Sequence, residues 1–279
     1  MLPCVNWAIS IPDMIHSTAV IHPKARLDAT VAVGPLAVID EHVVLGPGCV
    51  VGPHAYLTGH TTIGANNKIF AGAVIGEAPQ DLKYKNAPTR LRIGNNNTFR
   101  EGVTVHRSNK DEEDTVIGSD NFLMANAHVG HNSQVGNNII IANGALLGGH
   151  VRVDDRAFIS GNCLVHQFAR VGSLSLMQGG AAISKDLPPF TIALGVNGIC
   201  GLNIIGLRRA GLSPEERLEL KKVYHELFRS GQNITKVAAA CKSMFTSKPA
   251  ALLIDFVLSS KRGVAPHFVS IETDDDDET

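Results

Sequence analysis

The chain has 279 residues, of which 44% are hydrophobic and only 5% aromatic, so there is room for one large domain or two modest ones with a core of aliphatic side chains. Five scattered cysteines (Cys4, Cys49, Cys163, Cys200, Cys241) without CxxC spacing argue against a disulfide framework or zinc ribbon, and suit a reducing compartment. A net charge of −1 argues against nucleic-acid binding, and the lack of an 18-residue apolar run argues against a membrane helix.

Residues 1–14 are a short lead. Their MLPCVNWAISIPDM has no basic residue before its mildly apolar stretch, which is a poor signal peptide, so a cytoplasmic protein is expected.

From Ile15 the chain follows a period of six. Stepping from Ile15 through Ile21, Leu27, Val33 and onward to Ile183 visits 29 positions, and 26 carry a bulky apolar residue. Six fits neither an amphipathic helix nor a simple alternating strand. Glycine repeatedly follows the aliphatic, as in Val33-Gly34, Leu45-Gly46 and Val135-Gly136, and Asn, Asp and Gly cluster between, as in Gly94-Asn95-Asn96-Asn97. Such residues tolerate the positive φ of tight corners. The pattern predicts a short strand and a corner per hexad, with one aliphatic pointing inward: a hexapeptide parallel β-helix over residues 15–190. Three hexads close a coil of 18 residues. The misses at Asp81, Ala87 and Asp111 predict two projecting loops, at about residues 78–91 and 107–114.

The register ends near Ile183, and Pro188-Pro189 are expected to prevent another strand. A connecting segment and a helical domain over residues 191–270 follow. Ser213-Pro214-Glu215-Glu216 is a capping box with proline at the first helical position, predicting a helix up to Ser230-Gly231. Further helices are expected over about 233–246 and from Pro249 towards Ser260. Residues 271–279 are expected to be an acidic, disordered tail. Six acids lie within ETDDDDET, and without them 25 bases face 20 acids, a body of +5 that could meet an acidic partner.

In a solenoid, residues one coil apart stack. From His131 one coil leads to Gly149 and two lead to Gln167; the same step takes Asn132 to His150, and His166 adjoins Gln167. With His128, four histidines gather on one face. Three readings stand: a zinc site, corner histidines bonding between coils, and general-base catalysis. For acyl transfer, neutral imidazole can take a proton from a hydroxyl, and the bare backbone N–H of Gly149 could hold an oxyanion.

The stretches IGEAPQDLKYKNAPTRL (75–91), VTVHRS (103–108), NAHVGHN (126–132), LLGGHVRVDD (146–155), VHQF (165–168), DLPPF (186–190) and GLNIIGLRRAG (201–211) resemble the UDP-N-acetylglucosamine O-acyltransferases, hexapeptide-repeat enzymes that start lipid A synthesis. The resemblance runs from Ile15-His16 to Lys261-Arg262-Gly263. It implies a left-handed parallel β-helix followed by a C-terminal α-helical domain, an all-β solenoid plus α. It implies transfer of a (3-hydroxy)fatty acyl group from acyl carrier protein to the 3-hydroxyl of UDP-N-acetylglucosamine, by a homotrimer that needs no metal or cofactor. By resemblance His131 is the general base, oriented by Asn132, and Gly149 supplies the oxyanion N–H. Gln80, Asp81, Lys83 and His128 hold the sugar; His150, His166 and Gln167 complete the cleft; Asn203 and Arg209 handle the nucleotide; Gly179 limits acyl length, its small size predicting a longer chain. Three positions depart from the family's pattern. Asn132 replaces a common Asp, and Ile205 and Ala210 replace a Glu and a basic residue of the nucleotide motif. N-acyl transfer to a 3-amino sugar, a non-catalytic nucleotide-sugar-binding paralogue and a zinc-dependent hydratase are the alternatives.

Overall fold

A computed structural model describes residues 14–268. The acidic tail over 271–279, Cys4 and all but the last residue of the N-terminal lead lie outside the described residues. The chain forms two compact units, one ending at Ser133 and the other starting at Gln134, each with a stretch of left-handed parallel β-helix.

In the first unit, short strands stack into three parallel sheets. One contains Val20–Ile21, Val38–Ile39, Tyr56–Leu57, Val74–Glu77, Thr104–His106 and His128–Val129. Its register reports the coil length: Val20 pairs with Val38 and Val38 with Tyr56, a step of 18. Val74 then pairs with Thr104, and Thr104 with His128. These longer steps of 30 and 24 are the two expected loops, leaving after Glu77 and after His106.

From Val31 onward each regular hexad buries two side chains rather than one. The large aliphatics of the register (Val33, Ile39, Leu45, Val51, Leu57) are at most 3% exposed. The residue two before each is equally buried and usually small: Val31, Ala37, Val43, Cys49, Ala55. Alternation along a strand brings both to the same face, and the narrow interior accepts one large and one small group. Each fully buried Ile or Leu contributes about 2 kcal/mol to folding.

Polar residues occupy the small position where a corner carbonyl needs a donor. Thr61 Oγ1 donates to Thr58 O at 2.7 Å, and Ser175 Oγ donates to Gly172 O at 2.6 Å. Asn67, Asn97 and Asn121, all buried, form a ladder through the two looped coils. Asn67 Oδ1 accepts from the backbone N–H and the Nδ2 of Asn97, each at 2.9 Å, and Asn97 Oδ1 accepts from Asn121 N at 2.9 Å.

In the second unit the coils continue through Gln134–Val135, Ile140–Ile141 and Leu146–Leu147 to Ala182–Ile183. The expectation that Pro188-Pro189 end the strands is corrected. Thr191–Leu194 adds to Leu176–Met177 in parallel, and Gly198–Leu202 then pairs with it antiparallel. The prolines precede the strand, so no ladder bond needs their missing N–H.

Among the described residues four helices follow: α1 (Ile204–Arg209), α2 (Pro214–Arg229), α3 (Ile234–Met244) and α4 (Lys248–Leu258). The short α1 was not expected from the sequence. The capping box of α2 is present: Ser213 Oγ accepts from Glu216 N, while the Glu216 carboxylate accepts from Ser213 N. Leu207, Leu220, Val223, Leu227, Leu253 and Ile254 share one core. A partly buried ion pair ties these helices to the coils of the same unit. Asp186, 1% exposed, accepts from Arg170 Nε at 2.9 Å and from Ser260 Oγ at 2.8 Å. Arg170 also donates to Phe256 O at 3.0 Å and stacks over the Phe256 ring.

Candidate active site

In the first unit the two loops brace one another and surround His131. Arg107 donates to Gly76 O at 2.8 Å and lies over the Tyr84 ring. Gly76, with φ +88°, is required at this crossing, because a Cβ there would meet Thr58 O at 2.2 Å. Asn109 links the loops: its Nδ2 donates to Asp81 Oδ2 at 2.7 Å, and its backbone N–H donates to Asn132 Oδ1 at 3.0 Å.

Asn132 sits at a corner with φ +59°, a conformation asparagine tolerates, and is 4% exposed. Asn109 N–H can only donate, which identifies Oδ1 as the amide oxygen. Its Nδ2 donates to Ser108 Oγ at 2.7 Å and to Glu113 Oε2 at 2.9 Å. The amide orientation is therefore fixed from both ends. His131 Nδ1 lies 2.8 Å from Asn132 Oδ1, so Nδ1 carries the proton and donates it, and the ring's lone pair is on Nε2.

Two further imidazoles lie nearby. His128 Nδ1 is 2.8 Å from Thr104 Oγ1, and its ring centroid is 5.3 Å from that of His106. His106 Nδ1 donates to Ala78 O at 2.5 Å. Burial, reinforced by the neighbouring histidines, pushes the His128 pKa down to about 4, and burial also lowers that of His106. His128 is therefore neutral at pH 7. Asp81 is held below the usual carboxylate range by the Lys83 N–H and then the Asn109 amide, with His131 adding a smaller pull. Gln80 and Lys83 are exposed on the same loop.

In the second unit Phe168 N donates to Gly149 O at 3.0 Å, and the His150 ring stacks on Phe168 at 4.5 Å. His166 Nδ1 lies 3.0 Å from the Gln167 carbonyl and 3.4 Å from Arg262 Nη2. Gly179 is exposed on a corner, and a Cβ there would meet nothing closer than Gly161 O at 3.7 Å. Asn203 caps α1: its Oδ1 accepts from Gly206 N at 3.0 Å, and its Nδ2 donates to Leu174 O at 2.9 Å. Arg209 is exposed in the last turn of α1, Ile205 is exposed in its first turn, and Ala210 is its C-cap.

The unit ending at Ser133 thus gathers Asp81, His128, His131 and Asn132, and adds His106, Asn109 and Glu113, which sequence analysis missed. A step of 18 could not find His106, because the second loop makes this step 24, as the Thr104–His128 pairing records. Among the described residues no three His, Cys, Asp or Glu side chains converge for a metal ion.

Residues 186–265 match the family described as Udp N-acetylglucosamine O-acyltransferase, Domain 2, and residues 114–149 match the bacterial transferase hexapeptide repeats. The chain is 44% identical over 258 residues to an acyl-[acyl-carrier-protein]–UDP-N-acetylglucosamine O-acyltransferase of Janthinobacterium sp. (strain Marseille), covering 90% of this chain and 98% of that one. It is 45% identical over 257 residues to the enzyme of that name from Burkholderia vietnamiensis, with the same coverage. The solved Francisella novicida UDP-N-acetylglucosamine acyltransferase superposes with a TM-score of 0.88 at 37% identity, covering 91% of this chain and 94% of that one. LpxA from Acinetobacter baumannii gives 0.87 at 38% identity, covering 91% and 100%.

Proposed function

The chain belongs to the acyl-[acyl-carrier-protein]–UDP-N-acetylglucosamine O-acyltransferase family, and within that activity, an early step of lipid A biosynthesis, we propose that His131 is the general base. The observation that carries this is the fixed Asn132 amide, which leaves the His131 lone pair on Nε2.

Nε2 takes the proton of the glucosamine 3-hydroxyl as its oxygen attacks the thioester carbonyl of acyl carrier protein. The backbone N–H of Gly149 receives the oxyanion. Collapse breaks the C–S bond, and the imidazolium returns the proton to the departing thiolate. Acyl ester and free thiol are the products, so atoms and charge balance without a cofactor.

Asp81, held ionised, can accept from sugar hydroxyls, with Gln80 and Lys83 on the same loop; the neutral His128 belongs to the same unit. His150, His166 and Gln167 complete the cleft. Asn203 sets the start of α1, whose last turn presents Arg209 to the nucleotide. Gly179 leaves room for a longer acyl chain. A homotrimer in the cytoplasm is the expected assembly; among the described residues no helix is long and apolar enough to cross a membrane.

The test is His131→Ala, assayed with acyl carrier protein thioesters and UDP-N-acetylglucosamine or its 3-amino analogue, with products identified by mass. Loss of about a thousandfold in kcat is expected with the fold intact, and the parent should form the oxygen ester. Activity retained by the variant would refute the assignment.

A further inference from the structure

We propose that Glu113 is a positioning residue for His131, acting through Asn132 and supplying the negative charge that an amide at position 132 lacks. The inference rests on the reading of His131 as the base.

The Asn132 carboxamide lies between a carboxylate and an imidazole. Glu113 Oε2 accepts from Nδ2 at 2.9 Å, and Oδ1 accepts from His131 Nδ1 at 2.8 Å. All four hydrogen-bonding positions of the amide are used, the other two by Ser108 Oγ and Asn109 N–H. Ser108 Oγ spends its own proton on Lys110 O at 3.0 Å, so it must accept from Asn132. An amide held this way cannot rotate. Its polarity is enhanced along the chain, because a carboxylate drawing on N–H makes the carbonyl oxygen a stronger acceptor. Proton uptake at Nε2 creates a cation whose Nδ1–H then bonds more strongly to that oxygen. The Glu113 charge favours this cation over the neutral ring.

Glu113 also pairs with Lys110, but through its other oxygen, Oε1, at 2.8 Å. The charged or titratable groups around this chain of bonds are Asp81, His106 and His128, which act on or respond to His131, and Lys110 on Glu113. Asp114 is engaged by Arg90 and Arg92. A carboxylate at 132 would meet Glu113 directly, which gives Asn132 a reason to be neutral in this chain.

The experiment compares Glu113→Gln, Asn132→Asp and the double variant Glu113→Gln/Asn132→Asp in the full-length enzyme. It reads kcat, KM for both substrates and the acid limb of kcat/KM against pH. Glu113→Gln should lower kcat about fivefold with KM within about twofold, and move the acid limb about 0.5 pH unit lower, because the imidazolium loses a stabilising charge. Asn132→Asp alone should also lose activity, because two carboxylates then face each other. The double variant should recover kcat to within about twofold of the parent, because the charge now sits directly on Nδ1–H. Parent kcat and parent limb in Glu113→Gln, or a double variant no better than that single one, would overturn the proposal. His131→Ala in the same assay separates the two readings. If it is inactive while Glu113→Gln behaves as parent, only the role of Glu113 falls. If it is active, the base assignment and this inference fall together.

Discussion

Asn132 Oδ1 accepts the Nδ1 proton of His131 at 2.8 Å while accepting the Asn109 backbone N–H at 3.0 Å. One amide oxygen thereby sets the tautomer of the proposed base and anchors the loop after His106.

Removing that amide should be felt twice. Asn132→Ala leaves the Asn109 N–H without this acceptor and Glu113 without this donor, and places alanine at φ +59°. A loss of about 2 kcal/mol in urea unfolding and about thirtyfold in kcat is expected. Asn132→Gly should show the same kinetic loss but be about 1 kcal/mol more stable than the alanine variant, since glycine adopts this backbone without strain. Equal stability of the two would remove the conformational part of the argument.

Gly179 has space for a side chain, with Gly161 O at 3.7 Å as the nearest neighbour of a Cβ. Gly179→Met should therefore fold with the parent's melting temperature. Against a series of acyl carrier protein thioesters its preference should shift to shorter chains by several carbons or more. An unchanged preference would sink the role of Gly179 in setting acyl length.

His128 gives a pH signature in stability. Its folded pKa of about 4 lies below the unfolded value of about 6.5, so between these values the unfolded chain binds the extra proton. The stabilising contribution is complete above about pH 6.5 and is lost as pH falls towards 4, amounting to about 2 kcal/mol after allowing for partial burial. Urea midpoints at pH 5 and pH 7.5 should differ less in His128→Gln than in the parent. A difference as large in the variant would assign the acid sensitivity elsewhere.

Asp186 is the more buried member of its pair, and Arg170 places its guanidinium on both the carboxylate and the Phe256 carbonyl. Asp186→Ala leaves that cation without its counter-charge. It should cost about 3 kcal/mol, measured as a fall in urea midpoint with an unchanged slope. A loss below about 1 kcal/mol would mean that solvent replaces the carboxylate readily.

The β-helix was legible because its rule is local. Each hexad repeats one steric demand, and the aliphatic register reports it directly. The two loops were legible as breaks in that register, and α2 as its capping box. The small inward position was harder to see, because Ala, Cys, Thr, Ser and Asn all satisfy it. Thr191–Leu194 was hidden by the prolines before it, whose missing N–H matters only inside a ladder. In the first unit His128, His131 and Asn132 stand together in the sequence; in the second, the Gly149–Gln167 neighbourhood follows from a step of 18. Glu113 and Asn109 reach the site from a loop that no period governs, so their hydrogen bonds are known only from the fold.

The buried Asn67–Asn97–Asn121 ladder bears on how a chain of near-identical hexads threads itself. Interchangeable valines and isoleucines would let one coil settle on the wrong neighbour at little cost in apolar contact. The amides do not interchange. A shift by one coil would break at least one rung and leave a buried amide without its partner, a penalty of about 1–3 kcal/mol. The rungs span the steps of 30 and 24 residues, where the loops interrupt the count. A miscounted coil at this place would break a rung and carry Asn109 and Glu113 away from Asn132.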